Sequence, residues 1–514
     1  MIERLLVRKG AYHDSARLMA VSRALKSLPG IRDAEVLMGT PMNIDLLAGA
    51  GFRFGAGIEA APLDLVAALR GEEEKDLGAA EAKLDEMLRG EASPTSSRAT
   101  GEEPASLPEA LAERPGANVV SIAVPGAYAA YVAHRALDAG RHVFLFSDNV
   151  SLEDEIGLKD RARSLGLLLM GPDCGTAILA GVGFGFANRV RRGPIGIVGA
   201  SGTGIQEAIC LLDRLGVGIS HAIGTGGRDL SEAVGGRTAE SGLRLLSEDP
   251  ETRVLLLVAK RPDRSAARRL HGLLAGVGKP CVVRFLGEEG RPPQEGVAYA
   301  GSLDEAAMAA AAYAGGATGA RGLFAESEGE TDAILREKGP VRGRLLGLFG
   351  GGSLAAEARH VLAMHGIETE TPDRPLPAGK PIEGAGHLIV DAGEDFYTVG
   401  RPHPMVDQTV RCDLIRTSGA DRSNGLLLLD LVLGDGAHLD PAPEIAAAVE
   451  EARAAREGAR FEVVSSVTGA AGDPQDRERQ EEVLRGAGVR VAASAARAAR
   501  AAARLLWTGK GESA

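Results

Sequence analysis

The sequence predicts an α/β protein with a small N-terminal ferredoxin-like domain, a Rossmann-like domain and two flavodoxin-like domains. Three observations support this. From about Asn118, short continuous apolar runs alternate with helical segments, as in parallel strands covered on both faces. Glycine is frequent, 69 of 514 residues, and clusters directly after those runs, where strand-to-helix turns need it. One strand–turn–helix unit also recurs, as PIGIVGASGTGIQEA (Pro194 to Ala208) and LLGLFGGGSLAAEA (Leu345 to Ala358). Ser201-Gly202-Thr203 falls 150 positions before Gly351-Gly352-Ser353, and Glu207-Ala208 falls 150 before Glu357-Ala358.

In chain order, residues 1–62 read as the small α/β domain. Ile2 to Arg8 alternates like a strand, Asp14 or Ser15 caps a helix, Pro29-Gly30 ends it, and Ala34 to Met38 is the next strand. Residues 63–117 read as a charged helix and a flexible linker, with ASPTSSRATGEEPAS (Ala92 to Ser106) as the clearest boundary. Residues 118–190 form the Rossmann-like domain, through the strands NVVSIAVPG, HVFLFSDN and LGLLLMGPDC. Residues 191–318 and 319–507 are the related flavodoxin-like pair, and 508–514 a disordered tail.

Composition excludes several function classes. A net charge of −12 argues against nucleic acid, which needs clustered Lys and Arg. The four cysteines (Cys174, Cys210, Cys281, Cys412) form no CxxC pair, so they read as reduced thiols and not as a metal site. Charges interrupt the N-terminal apolar stretch where a signal peptide would be continuous, and no apolar run has the length of a membrane span. The alanine-rich stretch Ala492 to Leu506 carries Arg497, Arg500 and Arg504 and reads as a surface helix. The expected location is the cytoplasm.

The chemistry is expected at the turns. A glycine-rich turn between a parallel strand and a helix presents backbone N–H groups at the positive end of the helix dipole, which suits phosphate or carboxylate. Ser201, Gly202 and Thr203 form one such turn, and Gly351, Gly352 and Ser353 the second; the alternative is an ordinary pair of helix caps. GASGTG lacks the GxGxxG spacing of a dinucleotide site. Pro125-Gly126, Ser147-Asp148-Asn149 and Pro172-Asp173-Cys174 lie at carboxyl ends of strands and together outline a crevice. Gly226 and Arg228 sit in the glycine-rich loop Ala222 to Gly236, which either closes over an anion or simply turns. His403 and Arg411 sit in a proline-bracketed polar segment, which reads either as a rigid connector or as a site with Arg411 a carboxylate or phosphate clamp. His403, Arg411 and Arg228 are the candidates for catalysis.

In this order the pieces resemble succinyl-CoA synthetase. GPDCGTAI resembles the GPNCPG turn of that enzyme's alpha subunit. GPIGIVGASGTGIQEA resembles its phosphate-binding loop, with Ser201 and Thr203 on matching positions, and AIGTGG resembles its GIGGD loop. That resemblance covers about residues 118–310. Through the YHDS start, HPMVDQTVR and LLLLDLVLGDGAHLDPA (Leu426 to Ala442), a resemblance to the FdrA family extends over nearly the whole chain. It implies a CoA-binding-type domain at 118–190, succinyl-CoA-synthetase-type ligase domains at 191–318 and 319–507, and CoA as the possible cofactor.

One departure bears on mechanism. The synthetase carries its phosphohistidine after a strand matching KPCVVRF (Lys279 to Phe285), whereas GEEGRPPQEGVAYAGSLDEAA here contains no histidine and places Tyr299 at that position. No ATP-grasp-like region is evident either. The FdrA resemblance then implies a subunit of an oxamate carbamoyltransferase in allantoin (purine) breakdown, converting oxalurate and phosphate to oxamate and carbamoyl phosphate. The implied partners are these small anions and other enzyme subunits in a homo- or hetero-oligomer, with a carbamate kinase using the product. Two alternatives stand beside it: an acyl-CoA synthetase using another nucleophile or a partner's histidine, and a non-catalytic CoA- or metabolite-binding scaffold.

Overall fold

The glycine-punctuated apolar runs become four sheets in the computed structural model. It describes residues 2–11, 13, 15–26, 28–40, 43–44, 47, 51–52, 60–89, 104–316, 331–333, 335–337, 339–376, 386–398, 401–456 and 458–506. The chain divides into two units, Met1–Ala105 with Val399–Pro402, and Ser106–Thr398 with His403–Ala514. The linker after Ala92 (up to residue 103), Tyr12 and Asp14 of the YHDS start, and the tail 508–514 lie outside the described residues.

In the first unit, Ile2–Arg8 (β1), Ser15–Lys26 (α1), Ile31–Met38 (β2), Leu65–Gly71 (β3) and Glu74–Arg89 (α2) follow one another. Among the described residues the strands form an antiparallel sheet of order β1-β3-β2. Leu18, Leu25, Val36, Leu69, Leu77 and Leu84 close its core. The boundary expected at residue 62 is therefore misplaced. LVAALRG, read as helix, is the central strand, because both neighbours bury it and tertiary pairing overrides the helix preference of Leu and Ala.

The second unit opens with Leu107–Glu113 (α3), capped by Ser106. Val119–Ile122 (β4), Gly126–Asp138 (α4), His142–Leu145 (β5), Leu152–Ser164 (α5) and Leu169–Met170 (β6) then build a parallel sheet of order β4-β5-β6. The hairpin Thr176–Leu179 (β7) and Val182–Gly185 (β8) leaves this sheet and pairs with the next. That next sheet contains Arg192–Ala200 (β9), Ile219–Gly224 (β10), Val254–Lys260 (β11), Cys281–Leu286 (β12), Arg291–Gln294 (β13) and Val297–Tyr299 (β14). Its helices are Gly202–Arg214 (α6), Arg237–Glu248 (α7), Arg264–Gly276 (α8) and Leu303–Tyr313 (α9), and its order is β13-β14-β12-β11-β9-β10-β7-β8. The run β10-β9-β11-β12-β14 is the flavodoxin-like order, with the first strand between the second and third.

The last domain repeats the plan. Arg344–Phe349 (β15), Gly352–Met364 (α10), Thr369–Glu370 (β16), His387–Asp391 (β17), Thr409–Ala420 (α11), Asn424–Val432 (β18), Ala442–Ala454 (α12), Glu462–Thr468 (β19), Arg477–Gly486 (α13), Arg490–Ala492 (β20) and Ala495–Leu505 (α14) give the order β16-β17-β15-β18-β19-β20. β17 takes the place of β10. The Thr225 N–H donates to Gly199 O at 2.9 Å, and the Ala392 N–H donates to Phe349 O, 150 positions after Gly199, at 2.8 Å.

The two copies interlock reciprocally. Glu207 on α6 accepts the Ala495 N–H at 2.9 Å and so caps α14, the last helix of the other copy. Glu357 on α10 accepts the Leu303 N–H at 2.6 Å and caps α9 in return. The alanine-rich helix α14 is thus no surface helix. Its alanines are buried, and Arg497 and Arg500 reach Asp304 of the other copy at 3.1 and 2.9 Å. Among the described residues no helix is long and apolar enough to cross a membrane. All four cysteines are free and buried.

Candidate functional site

The repeat brings the two glycine turns face to face. Ser201 Oγ donates to Ser353 Oγ at 2.6 Å. A side chain on Gly351 would place its Cβ 2.9 Å from Thr203 Oγ1. Because 201 corresponds to 351 and 203 to 353, these two contacts are mirror partners about an internal two-fold relation. Ser201, Gly202, Thr203, Gly351, Gly352 and Ser353 therefore meet in one place, as their common motif suggests.

The two turns are nevertheless unequal, and here the structure corrects the expectation of two free anion cradles. The Gly350 and Gly351 N–H groups both donate to the Asp430 carboxylate, each at 2.8 Å. Asp430 stands at the end of β18, buried, and is held from behind by Arg411 at 2.9 Å. An internal carboxylate thus occupies the anion position of the second turn. Arg411 is consumed in the same network, donating also to Leu348 O and to Gln408 Oε1. It supports the wall and is not a free clamp.

Each glycine of the second turn has a steric cause. A Cβ on Gly350 would lie 3.2 Å from Arg411 Nη1, and one on Gly352 would lie 2.2 Å from Asp391 Oδ2. Gly202 differs: the nearest atom to a Cβ there is Thr176 Oγ1, at 3.6 Å, an ordinary contact. Ser201 makes no side-chain cap to its own helix. Among the described residues the bare face of the first turn is left open.

Asp391 ends β17 beside this turn, and accepts the Gly393 N–H at 2.9 Å. Burial pushes its carboxyl up to about 6; Glu394 and Asp430 add to this, while Lys260 opposes it. Lys260, exposed at the end of β11, supplies a cation from the opposite copy. His403 stands nearby, with Nε2 2.7 Å and Asp391 Oδ1 3.1 Å from the position of a Cβ on Gly393. Its Nδ1 accepts the Met405 N–H at 3.2 Å, so in the neutral ring the proton sits on Nε2. Burial, with Arg411 assisting, lowers its pKa to about 4. Asp391, Asp430 and Lys260 escaped the reading of the sequence. The available signal was a charged residue at or near the carboxyl end of a buried parallel strand.

The crevice loops also assemble. Ser147 Oγ donates to Val124 O at 2.5 Å, and the Asp173 N–H donates to Ser147 O at 2.9 Å. Asp148 O lies 2.3 Å from where Gly126 would carry a Cβ, and Pro172 O lies 2.2 Å from that position on Gly226. Pro125 and Gly126 thus abut the Asp148-Asn149 backbone, and Gly226 abuts Pro172. Asn149 and Asp173 adopt left-handed backbone (φ 52° and 55°) at the rims. Phe146 meets Phe186 in a tilted ring contact (centroids 5.9 Å apart), and Phe186 meets His403 likewise (6.3 Å), linking the crevice to the turns. Cys174 is 2% exposed, and burial pushes its thiol up to about 12. Arg228 is tied to Glu155 at 2.9 Å and to Val150 O at 2.7 Å, a strut between α5 and the Gly226 loop. Tyr299 lies on β14 with its hydroxyl 2.5 Å from His271 Nδ1.

Comparison with known proteins agrees with this plan. Residues 1–105 match the family described as AllF, heavy metal-associated domain; residues 190–287 match the CoA binding domain, and residues 348–505 the CoA-ligase. The CoA-binding match falls on the domain of β9 to β12, whereas the sequence resemblance assigned that type to residues 118–190. The uncharacterized protein YahF of Escherichia coli (strain K12) is 35% identical over 96% of this chain and 96% of its own length. The alpha subunit of an ADP-forming succinate–CoA ligase from Aquifex aeolicus is 31% identical, over 37% of this chain and 62% of that subunit. The crystal structure of PH0766 from Pyrococcus horikoshii OT3 covers 76% of this chain and 83% of its own, at 14% identity and a TM-score of 0.31.

Proposed function

Because the chain belongs to the succinyl-CoA synthetase-like family that includes YahF, we propose that it is an acyl-transfer subunit whose Ser201-Gly202-Thr203 turn holds the phosphate of an acyl phosphate. The observation that carries this reading is the open first turn. Among the described residues a Cβ on Gly202 would meet only Thr176 Oγ1, at 3.6 Å, and the hydroxyls of Ser201, Thr203 and Ser353 lie on the two facing turns. Such a turn offers helix N–H groups to a dianion.

In the reaction, a phosphate oxygen attacks the acyl carbon of a CoA thioester. The C–O bond forms, the C–S bond breaks, and the proton of the phosphate passes to the departing thiolate, giving acyl phosphate and CoA. In this reading His403, with its Nδ1 held by the Met405 N–H, donates from Nε2 to the carbonyl oxygen as it gains charge. Transfer of the phosphoryl group onward to a nucleotide falls to a partner subunit, because the loop that would carry a phosphohistidine has Tyr299 instead.

A second reading keeps the same phosphate turn and replaces the thioester by oxalurate, giving oxamate and carbamoyl phosphate. The match of residues 1–105 to the AllF domain favours it, as does a chemistry that needs no phosphoenzyme. Acyl-phosphate formation from a CoA thioester supports the first reading, and phosphorolysis of oxalurate the second. Phosphate calorimetry tests what both share. A charge-assisted hydrogen bond contributes roughly 1.5–3 kcal/mol, so Thr203→Ala should weaken binding about tenfold to a hundredfold. Gly202→Val should do worse, by blocking approach to the backbone. If both variants bind phosphate like the parent, the turns are helix caps only.

A further inference from the structure

The N-terminal unit matches a family described as heavy metal-associated, and its own residues disagree with that description. Soft metals are held by thiolate, thioether or imidazole donors, and a buried site needs several at once. Residues 1–105 contain no cysteine, one histidine (His13) and five methionines (Met1, Met19, Met38, Met42 and Met87), of which Met38 and Met87 pack in the domain's apolar core; the first cysteine of the chain is Cys174. Among the described residues, no cluster of three or more His, Cys, Asp or Glu side chains is placed to hold a metal ion. With no thiolate and a single imidazole, the donor set does not fit a thiolate or histidine metal site.

The corner after β1, where the strand turns toward α1, is closed by something else. Asp64, 4% exposed, sends its carboxylate into that corner. Oδ1 accepts the Gly10 N–H at 2.8 Å. Oδ2 accepts the Ala61 N–H at 2.7 Å and the Lys9 ammonium at 2.9 Å. These donors pull the Asp64 carboxyl down to about 2, the two backbone N–H groups first and Lys9 next. The main chain of Asp64 joins the same knot, its carbonyl accepting the Gly39 N–H at 2.7 Å. The end of β1, the end of β2 and the approach to β3 are thus tied through one residue.

We infer that this domain keeps the fold of a metal carrier without the metal, and that the Asp64 carboxylate closes the corner after β1 by hydrogen bonding. A cation entering there would have to displace Lys9 from a carboxylate whose two oxygens are already engaged.

The full-length chain gives the test. Reduced protein is incubated with one equivalent of copper(I) or zinc, desalted, and analysed for metal by mass spectrometry. The parent and His13→Ala should retain the same amount. Limited trypsin digestion then reads the corner, since Lys9-Gly10 is a cleavable bond held shut by Asp64. Asp64→Asn should expose it and raise cleavage after Lys9 roughly tenfold, the loss expected for one charge-assisted hydrogen bond. Metal should give this variant no protection. If Asp64→Asn does not fold, Arg8→Gln with Lys9→Ala removes the tryptic sites and the ammonium; thermolysin cleavage near Gly10 then replaces trypsin, with the same expected rise. One equivalent of metal bound by the parent and lost in His13→Ala overturns the inference, as does protection of Asp64→Asn by metal or unchanged cleavage in every variant.

Discussion

The two glycine turns began as one motif and now do different work. At the end of β11, Val258 pairs opposite Gly199 and presents a methyl group to the first turn. At the matching point of β18, Asp430 presents a carboxylate that takes two N–H groups of the second turn. Among the described residues the first turn has no such carboxylate, whereas the second has an anion built into the chain. The proposed phosphate site thus falls on one copy, and the other forms a wall against it, joined to it by the Ser201–Ser353 hydrogen bond.

The largest expected effect lies in the reciprocal caps, and it sharpens this contrast. Glu357 is fully buried against Arg284, also fully buried, and burial raises its carboxyl while Arg284 draws it back. Glu207 caps α14 and accepts from Thr468, with no arginine bonded to it. Glu357→Ala should therefore cost about 3–5 kcal/mol, because a buried guanidinium is left alone. Glu207→Ala should cost about 1–3 kcal/mol, the loss of buried hydrogen bonds. Denaturant unfolding followed by circular dichroism compares them, and equal losses would show that the halves are energetically alike.

The caps also mark how far the sequence could be read. Apart from LVAALRG, whose Leu and Ala read as helix, the strands, the turns and the repeat were legible, because apolar runs and glycines report backbone geometry locally. Asp391 and Asp430 were not, since each is one charge in an otherwise apolar strand, HLIVD and NGLLLLDLV, and its meaning depends on partners far along the chain. Arg497 and Arg500 misled for the same reason. Arginines spaced on an alanine helix resemble a solvated face, and only the fold places Asp304 against them. Both motifs form the strand–turn–helix expected of them, but the carboxylate that fills one turn was invisible.

A second effect concerns acidity. Asp391, raised to about 6, is harder to ionise folded than unfolded, so its contribution favours the native state at low pH and is lost as pH rises through about 6. His403, lowered to about 4, acts oppositely: its contribution is complete above the usual histidine value and is lost as pH falls toward 4. Each shift amounts to about 3 kcal/mol at 1.4 kcal/mol per pKa unit, so the two nearly cancel between pH 4 and 6.5. The parent should show little slope from this pair in that window. Asp391→Asn should become less stable on acidification, and His403→Gln more stable. Urea midpoints at pH 4.5, 5.5 and 6.5 check this, and parallel curves for all three proteins would remove the pair from the site.

The smallest expected effect is the most direct comparison of the copies: the same methyl group added at matching positions. Gly352→Ala forces a Cβ to within 2.2 Å of Asp391 Oδ2, so the carboxylate or the helix must move. Overpacking of this kind costs typically about 1–3 kcal/mol. Gly202→Ala meets only Thr176 Oγ1 at 3.6 Å, and alanine is the better helix former, so stability should hold or rise by less than about 1 kcal/mol. Its consequence should appear in binding, because the methyl group occupies the space through which a phosphate oxygen approaches the open N–H groups. Thermal unfolding with and without phosphate separates the two. In the parent, phosphate should raise the melting temperature by mass action. Gly352→Ala should melt lower and keep that increment, whereas Gly202→Ala should melt as the parent does and lose it. An increment retained by Gly202→Ala would mean that the bare face of the first turn is not where the anion sits.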